Sequence, residues 1–450
     1  MYDVLFHIPH QVAGWPVFGW GLVAGVWLIV GGLWLVVSLR RPAAAGDWLG
    51  SLMLFGLGTV AFVWLAPRME DVDPLTQQRL GIAIHGYGVL VTLGVVSGVG
   101  LAIREGRRMG LNPELTYALA MRLFVAGILG ARAFYVALNW DDFRRPHLSD
   151  TLLEVVKFTE GGLVVYGSFL AALVVGGLFL WQRRLPVLAM ADLAAPAMLL
   201  GLAFGRVGCF LHGCCFGGEC AAGPLAVTFP ENSPPYYHQW QRGRMHGMKL
   251  GPAADGTEIE VLAVDPDGPA AAAGLQPGER VRMINGVEVD TASRSWFPAA
   301  ADGLTVELVT SGGQTVRWRA AALPPRSRPV HPVQLYSSAS AAALALLLWA
   351  WYPWRRRDGE LMAGLMVLYP VSRILEEAVR DDEPGRWGTP LTISQWVSVG
   401  VLLAGVALWW YVLRQPLGCR RFSDAPSRPT EPAGEANSAS TPAAVRGRSR

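Results

Sequence analysis

Nine apolar stretches, each about as long as a bilayer is thick, constrain this chain more than any other feature of its sequence. A hydrocarbon core about 30 Å thick is crossed by about 20 helical residues at about 1.5 Å each. Runs of that kind occupy residues 17–39, 48–66, 82–103, 115–138, 162–181, 190–211, 334–352, 360–377 and 391–413. With 52% hydrophobic and only 16% charged residues, the chain has lipid as its main solvent. The first run is too long, and lacks the basic start and small-residue cleavage site of a removable signal peptide, so it is expected to stay as a helix.

Arginines report the orientation of these runs. They gather in alternate short connections: Arg40 and Arg41; Arg104, Arg107 and Arg108; Arg183 and Arg184; Arg355, Arg356 and Arg357; Arg414, Arg420 and Arg421. By the positive-inside rule this predicts an outside N-terminus and an inside C-terminus. Arg144, Arg145 and Lys157 share one opposite loop, offset there by Asp141, Asp142, Asp150 and Glu154. The net charge of +3 in such a chain speaks of orientation and gives no reason to expect nucleic acid as a partner.

The long connection of about 212–333 then lies outside, and its composition turns to that of a small soluble domain. The stretches 258–264 and 304–309 alternate as strands. Between them, Gly274 and Gly278 end and turn a short helix, and Asn285-Gly286 makes a tight hairpin. The pattern resembles the PDZ domains of bacterial envelope proteins, with Met248–Gly251 as the candidate carboxylate-binding loop. The resemblance implies a peptide ligand bound by strand addition, and a structural lid is the other reading of the same segment.

Polar groups in or beside apolar runs are costly and are usually kept for function. Those that stand out are His85 and Tyr87, Arg132 and Tyr135, Arg206, His212 and Gly217, His331, Gln334 and Tyr336, then Tyr369, Arg373, Glu377 and Arg380. Most fall at outer helix ends in the predicted topology. Guanidinium forks converging at one leaflet suit an anionic lipid headgroup, because they bind phosphate in a bidentate way. The competing reading of the arginines is as snorkelling anchors, and of the tyrosines as an aromatic belt.

The order of these segments resembles the prolipoprotein diacylglyceryl transferase family over residues 82–413. It rests on Tyr87-Gly88, Gly130-x-Arg132-x-x-Tyr135, Gly205-Arg206-x-Gly208-x-Phe210, His331-Pro332-x-Gln334-Leu335-Tyr336, Arg373-Ile374-x-x-Glu377 and Ser394-Gln395. The resemblance implies transfer of the diacylglyceryl group of phosphatidylglycerol to the lipobox cysteine thiol of prolipoproteins, with release of glycerol phosphate, in a bacterial inner membrane. It implies Arg206, Arg373, Tyr87 and His85 as catalytic residues. Arg132, Gly217, His331, Gln334, Tyr336 and Glu377 are implied as substrate-binding ones. Two positions depart from the family: Tyr166 stands where a histidine is usual, and Cys209 where an asparagine is common. Both bear on how the acceptor thiol loses its proton, for which His212 is a further candidate. A related transferase with another lipid or thiol acceptor, and a non-catalytic lipid-binding scaffold recruiting envelope proteins, are the alternatives.

Cys209, Cys214, Cys215 and Cys220 crowd one short stretch. Small packing residues are the first reading, a disulfide set the second and a zinc site with His212 the third, since the spacing fits no familiar zinc pattern. No metal and no cofactor is therefore expected.

The expected architecture is an all-α polytopic membrane protein of about nine transmembrane helices with an inserted small α/β PDZ-like extracytoplasmic domain. Residues 1–81 form two extra N-terminal transmembrane helices, and 82–220 the first part of the transferase core. The extracytoplasmic loop is 221–330, its PDZ-like part about 245–322. Residues 331–415 complete the core, and 416–450 read as a disordered cytoplasmic tail.

Overall fold

A computed structural model describes residues 4–39, 48–72, 78–144, 151, 154–155, 162, 164–253, 258–289, 305–319, 324–380, 389 and 391–420. Most of the predicted tail, and the loop residues Arg40, Arg41, Arg145 and Lys157, lie outside this set. The chain forms two compact units, one of Met1–Leu101 with Ala191–Pro416, the other of Ala102–Met190 with Leu417–Arg450.

Every apolar run coincides with a helix: α1 Leu22–Leu39, α2 Trp48–Val60, α3 Gly86–Arg108, α4 Pro113–Leu138, α5 Val165–Gln182, α6 Val187–His212, then, beyond the inserted segment, α8 Val333–Trp351, α9 Glu360–Glu377 and α10 Ile393–Leu413. Among the described residues six helices are long and apolar enough to cross a membrane: α3, α4, α5, α6, α8 with its extension to Trp354, and α10. The most apolar window of α5 is only 11% buried within the protein, an exposure of leucine, valine and phenylalanine that lipid tolerates and water does not. The chain is a multi-pass membrane protein. Helix α9 falls outside the six because it carries Glu360, Arg373, Glu376 and Glu377.

Two helix starts are corrected. The first run enters its helix at Leu22 instead of residue 17, and the third at Gly86 instead of 82. The reason is a sheet that no apolar count reveals. Strand β1, Val4–Pro9, pairs antiparallel with β5, Arg79–His85, and Asp71–Val72 (β4) pairs with the other edge of β5. A separate two-strand ladder joins β2, Gln11–Val12, to β3, Trp15–Pro16. His85 is thus the last residue of a strand, exposed and paired in register with Val4.

The segment between α6 and α8 opens with α7, Pro234–Gln241, and builds an antiparallel sheet. Its strands are β6 Met248–Pro252, β7 Ile259–Val264, β8 Arg280–Ile284, β9 Val287–Glu288, β10 Thr305–Thr310 and β11 Thr315–Arg319. Their order is β11-β10-β8-β7-β6, with β9 folded back on β8. Inward positions alternate along β10 and β11 and meet in a core of Met248, Leu250, Ile259, Val261, Ile284, Leu308 and Trp318. The predicted hairpin is present, with Asn285 and Gly286 at φ of 49° and 79°. Trp240 of α7 packs into the same core, so the compact region begins upstream of the 245 read from sequence.

Within the first unit, α6 and α9 are joined by a buried acid. Helix α9 begins at Gly359 with no cap of its own, and the Asp192 carboxylate of α6 takes that role. It accepts from the backbone N–H groups of Gly359, Leu361 and Met362 at 2.7, 2.9 and 3.0 Å, with Arg355 Nε 3.7 Å away. Three otherwise orphaned donors and a helix dipole are satisfied by one fully buried charge. Asp192→Ala is expected to cost about 3 kcal/mol, because it strands those donors and removes the carboxylate beside Arg355. Thermal unfolding in detergent should show the loss, and Asp192→Asn, which keeps an acceptor oxygen, should recover part of it.

Candidate active site

The end of α6 supplies the first part of the site. Helices α3 and α6 cross on glycines: a Cβ on Gly94 would lie 2.9 Å from the Gly201 carbonyl oxygen, and one on Gly98 as near that of Ala197. This close approach lays Tyr87 over Gly208, whose Cβ would stand 3.0 Å from the Tyr87 ring. The Tyr87 and His212 rings are 6.4 Å apart. Arg206 and Cys209 share a helix face three residues apart. Arg206 is half-buried, and its electrostatic neighbours are Tyr369, Cys215, Cys209 and Arg380. No hydrogen bond or ion pair to a described residue holds its guanidinium.

Helix α9 supplies the second part. The Glu377 carboxylate, with no exposed side-chain surface, meets Arg373 at 2.5 Å and Arg380 at 3.3 Å. It also accepts from the Thr392 hydroxyl at 3.0 Å. Thr392 caps α10 reciprocally with Gln395, so the capping hydroxyl of one helix is hydrogen-bonded to the ion-paired carboxylate of another. Glu376 faces elsewhere, taking the hydroxyls of Ser340 at 2.6 Å and Ser372 at 3.0 Å. Burial of this kind is tolerated only for paired charge.

The segments around Gly217 and His331 tie these parts together through backbone. Gly217 N–H donates to the His331 carbonyl at 2.9 Å, Gly218 N–H to Val379 at 2.9 Å, and His331 N–H to Gly218 at 3.0 Å. A Cβ on Gly217 would lie 2.7 Å from both His331 Cβ and Val333 Cγ2, which is a packing reason for glycine there. Gln334 is fully buried and donates to the Cys214 carbonyl at 2.6 Å, while its own carbonyl oxygen has no partner. The rings of His331 and Tyr336 stand 6.4 Å apart. Just beyond, Arg244 forks onto Glu219 with Nε at 2.7 and 2.9 Å, and that hydrogen-bonded carboxylate holds the guanidinium above its ordinary pKa.

Arg132 belongs to the second unit and is described within it. Its guanidinium donates to the carbonyls of Val155 at 2.8 Å, Glu154 at 2.9 Å and Gly162 at 3.3 Å, and lies 5.1 Å from the Phe143 ring. Tyr166 is exposed at the start of α5, where Gly167 meets Gly130 of α4 too closely for any side chain.

Tyr87, Arg206, the cysteines, Gly217, His331, Gln334, Tyr336, Arg373 and Glu377 therefore lie on connected elements of one unit, with Arg132 in the other. Sequence reasoning passed over Asp192 and Thr392. The first was visible as a lone acid in an apolar run, the second as a Thr-x-x-Gln pattern ahead of one.

Comparison with known proteins identifies the family. The family model for prolipoprotein diacylglyceryl transferase matches residues 75–411. The chain is 34% identical, over 90% of its own length and 88% of the relative's, to the phosphatidylglycerol-prolipoprotein diacylglyceryl transferase of Rhodopirellula baltica. It is 22% identical to the phosphatidylglycerol-prolipoprotein diacylglyceryl transferase 2 of Clostridium perfringens, over 73% of this chain and 91% of that one. Because the match starts just ahead of β5, ends within α10 and takes in every helix that carries a residue of the site, the chain belongs to the prolipoprotein diacylglyceryl transferase family.

Proposed function

We propose that this protein transfers the diacylglyceryl group of phosphatidylglycerol to the lipobox cysteine thiol of prolipoproteins, in a bacterial inner membrane. The observation that carries the reading is Arg206, a half-buried guanidinium with no carboxylate partner among the described residues, beside the Arg373, Glu377 and Arg380 network. A cation left unpaired near lipid calls for an anionic ligand, and the phosphate of a phospholipid headgroup is the anion at hand.

In this reading Arg206 grips the phosphate as negative charge grows on the departing glycerol phosphate. Arg373 and Arg380 share one carboxylate, so each is oriented by Glu377. Tyr87 lies over the same end of α6, and His85 one residue before α3 is the nearby candidate for moving a proton. Gly217, His331, Gln334 and Tyr336 shape the floor of the site. Arg132 contributes by holding the carbonyls of Glu154, Val155 and Gly162 ahead of α5.

The remaining features belong to the same proposal. All nine helices matched to apolar runs span the membrane, with the site and the inserted domain on the outer side and the arginine-rich loops inside. The inserted domain acts as a PDZ module for a peptide of an envelope protein.

Restoration of lipoprotein modification in cells depleted of their own transferase tests the activity; failure by well-expressed protein would sink it. In purified protein, Arg206→Ala or Arg373→Ala is expected to lower transfer at least about 100-fold, the scale of losing one preorganised donor to a developing anion. Lysine at either position should recover little, having no fork. Reporter fusions after Arg184 and near Gly312 should read inside and outside respectively; both on one side would overturn the topology. Replacing residues 234–322 with a short Gly/Ser linker should spare modification of a short lipobox peptide at high concentration. It should impair full-length precursors at low concentration, where tethering matters.

A further inference from the structure

The end of α6 carries a second cluster that the transfer chemistry above leaves unused. The Sγ atoms of Cys209, Cys214 and Cys215 all lie within 4.8 Å of one another. The backbone is bent to bring them there. Helix α6 ends at His212, Gly213 turns at φ 87°, and Cys215 takes φ 56°, a left-handed conformation that side-chain-bearing residues seldom adopt. The Gly213 N–H still reaches back to the Cys209 carbonyl at 2.9 Å, so the turn folds the last two thiols over the first. Buried Gln334 fixes the turn from the opposite side through the Cys214 carbonyl at 2.6 Å.

We propose that Cys209, Cys214 and Cys215 form a tri-thiolate site for a thiophilic divalent ion, zinc by preference, whose open fourth position takes the acceptor thiol of the transfer reaction. The acceptor role rests on the transferase reading; the metal site rests on the cluster alone. Sequence spacing ranked a metal last among the roles of these cysteines; the proximity of the three sulfurs is what brings it forward. Zinc with sulfur at about 2.3 Å spans sulfurs about 3.8 Å apart, so the trio needs to close by about 1 Å at most. Zinc and three thiolates carry one negative charge in excess, and Arg206 and Arg380 are the cationic neighbours that offset it. Three protein ligands with one position left open is the arrangement of catalytic rather than structural zinc.

The site also answers the departure at Tyr166, where the family's usual histidine is missing. A free thiol is only about 3% thiolate at pH 7, whereas a zinc-bound one is deprotonated outright. The acceptor R–SH replaces the water on zinc and its proton passes to solvent. The bound sulfur then attacks the glyceryl carbon that bears the phosphate ester. The C–S bond forms, the C–O bond breaks, and the electron pair leaves on glycerol phosphate beside Arg206. The product thioether is uncharged, a poor zinc ligand, and departs.

The test uses full-length protein purified in detergent under reducing conditions. Elemental analysis should find about one zinc per chain, lost in Cys214→Ser and Cys215→Ser but kept in Cys220→Ser, whose thiol lies outside the trio. Cobalt substitution should give thiolate charge-transfer bands, and a lipobox-type peptide thiol should change the visible spectrum, a readout that needs no turnover. Chelated enzyme should transfer about 30-fold more slowly at pH 7 and regain about eightfold by pH 8 as free thiolate increases, while zinc enzyme stays nearly flat. Failure of reduced protein to bind zinc or cobalt, or a disulfide within the trio in active enzyme, would overturn the site. Identical pH profiles with and without zinc would overturn the acceptor role. Zinc and spectra as expected, but no transfer by the unaltered protein, would instead sink the transferase reading and leave the metal site standing.

Discussion

The carboxylate of Asp192 sets the register on which the site depends. It pins the start of α9 to a point near the start of α6 by three backbone hydrogen bonds. From that shared origin Arg206 lies about 21 Å along α6 and Arg373 about 18 Å along α9, at about 1.5 Å per residue. Two arginines far apart in sequence thereby reach similar depth on neighbouring helices. A buried charge can act as such a pin because, with little water nearby, its only satisfactory partners are the helix donors and Arg355, which makes the fit specific.

At the other end of α9 the same economy of buried charge decides which cations are free to act. Glu377 engages Arg373, Arg380 and the cap of α10, and Glu376 is taken by serines of α8 and α9. Among the described residues, none gives Arg206 a carboxylate partner. In a low-dielectric setting that asymmetry matters more than the number of arginines, since a paired guanidinium is positioned and an unpaired one attracts a ligand. The glycine crossings of α3 with α6 then settle which side chains stand around it, bringing Tyr87 over Gly208.

The segment between α6 and α8 is tied to the helices through backbone bonds at Gly217, Gly218 and His331 and through the Arg244–Glu219 fork. Both ends of the insert enter within this clamp. A bulky residue at Gly217 would separate the strands that hold His331 and the turn after α9, so the mouth of the site and the root of the insert are one structure.

The sequence by itself determined the helices, because transfer of about twenty apolar residues from water is a local property that needs no partner, and each such run became a helix. Strand alternation and the Asn285-Gly286 turn in the insert were legible for the same reason, being written in neighbouring residues. The motifs around Arg206, Arg373 and Gln334 identified the family before any fold was known. Tertiary structure alone decided the rest. The strand of residues 79–85 depends on Val4–Pro9 as its partner, so its apolar residues were counted into a helix. Which arginine is paired among the described residues follows from carboxylates delivered by packing, and the convergence of three thiols follows from two left-handed residues after α6. Spacing along a chain records what residues are; only the folded backbone fixes the distances over which charge and ligation act.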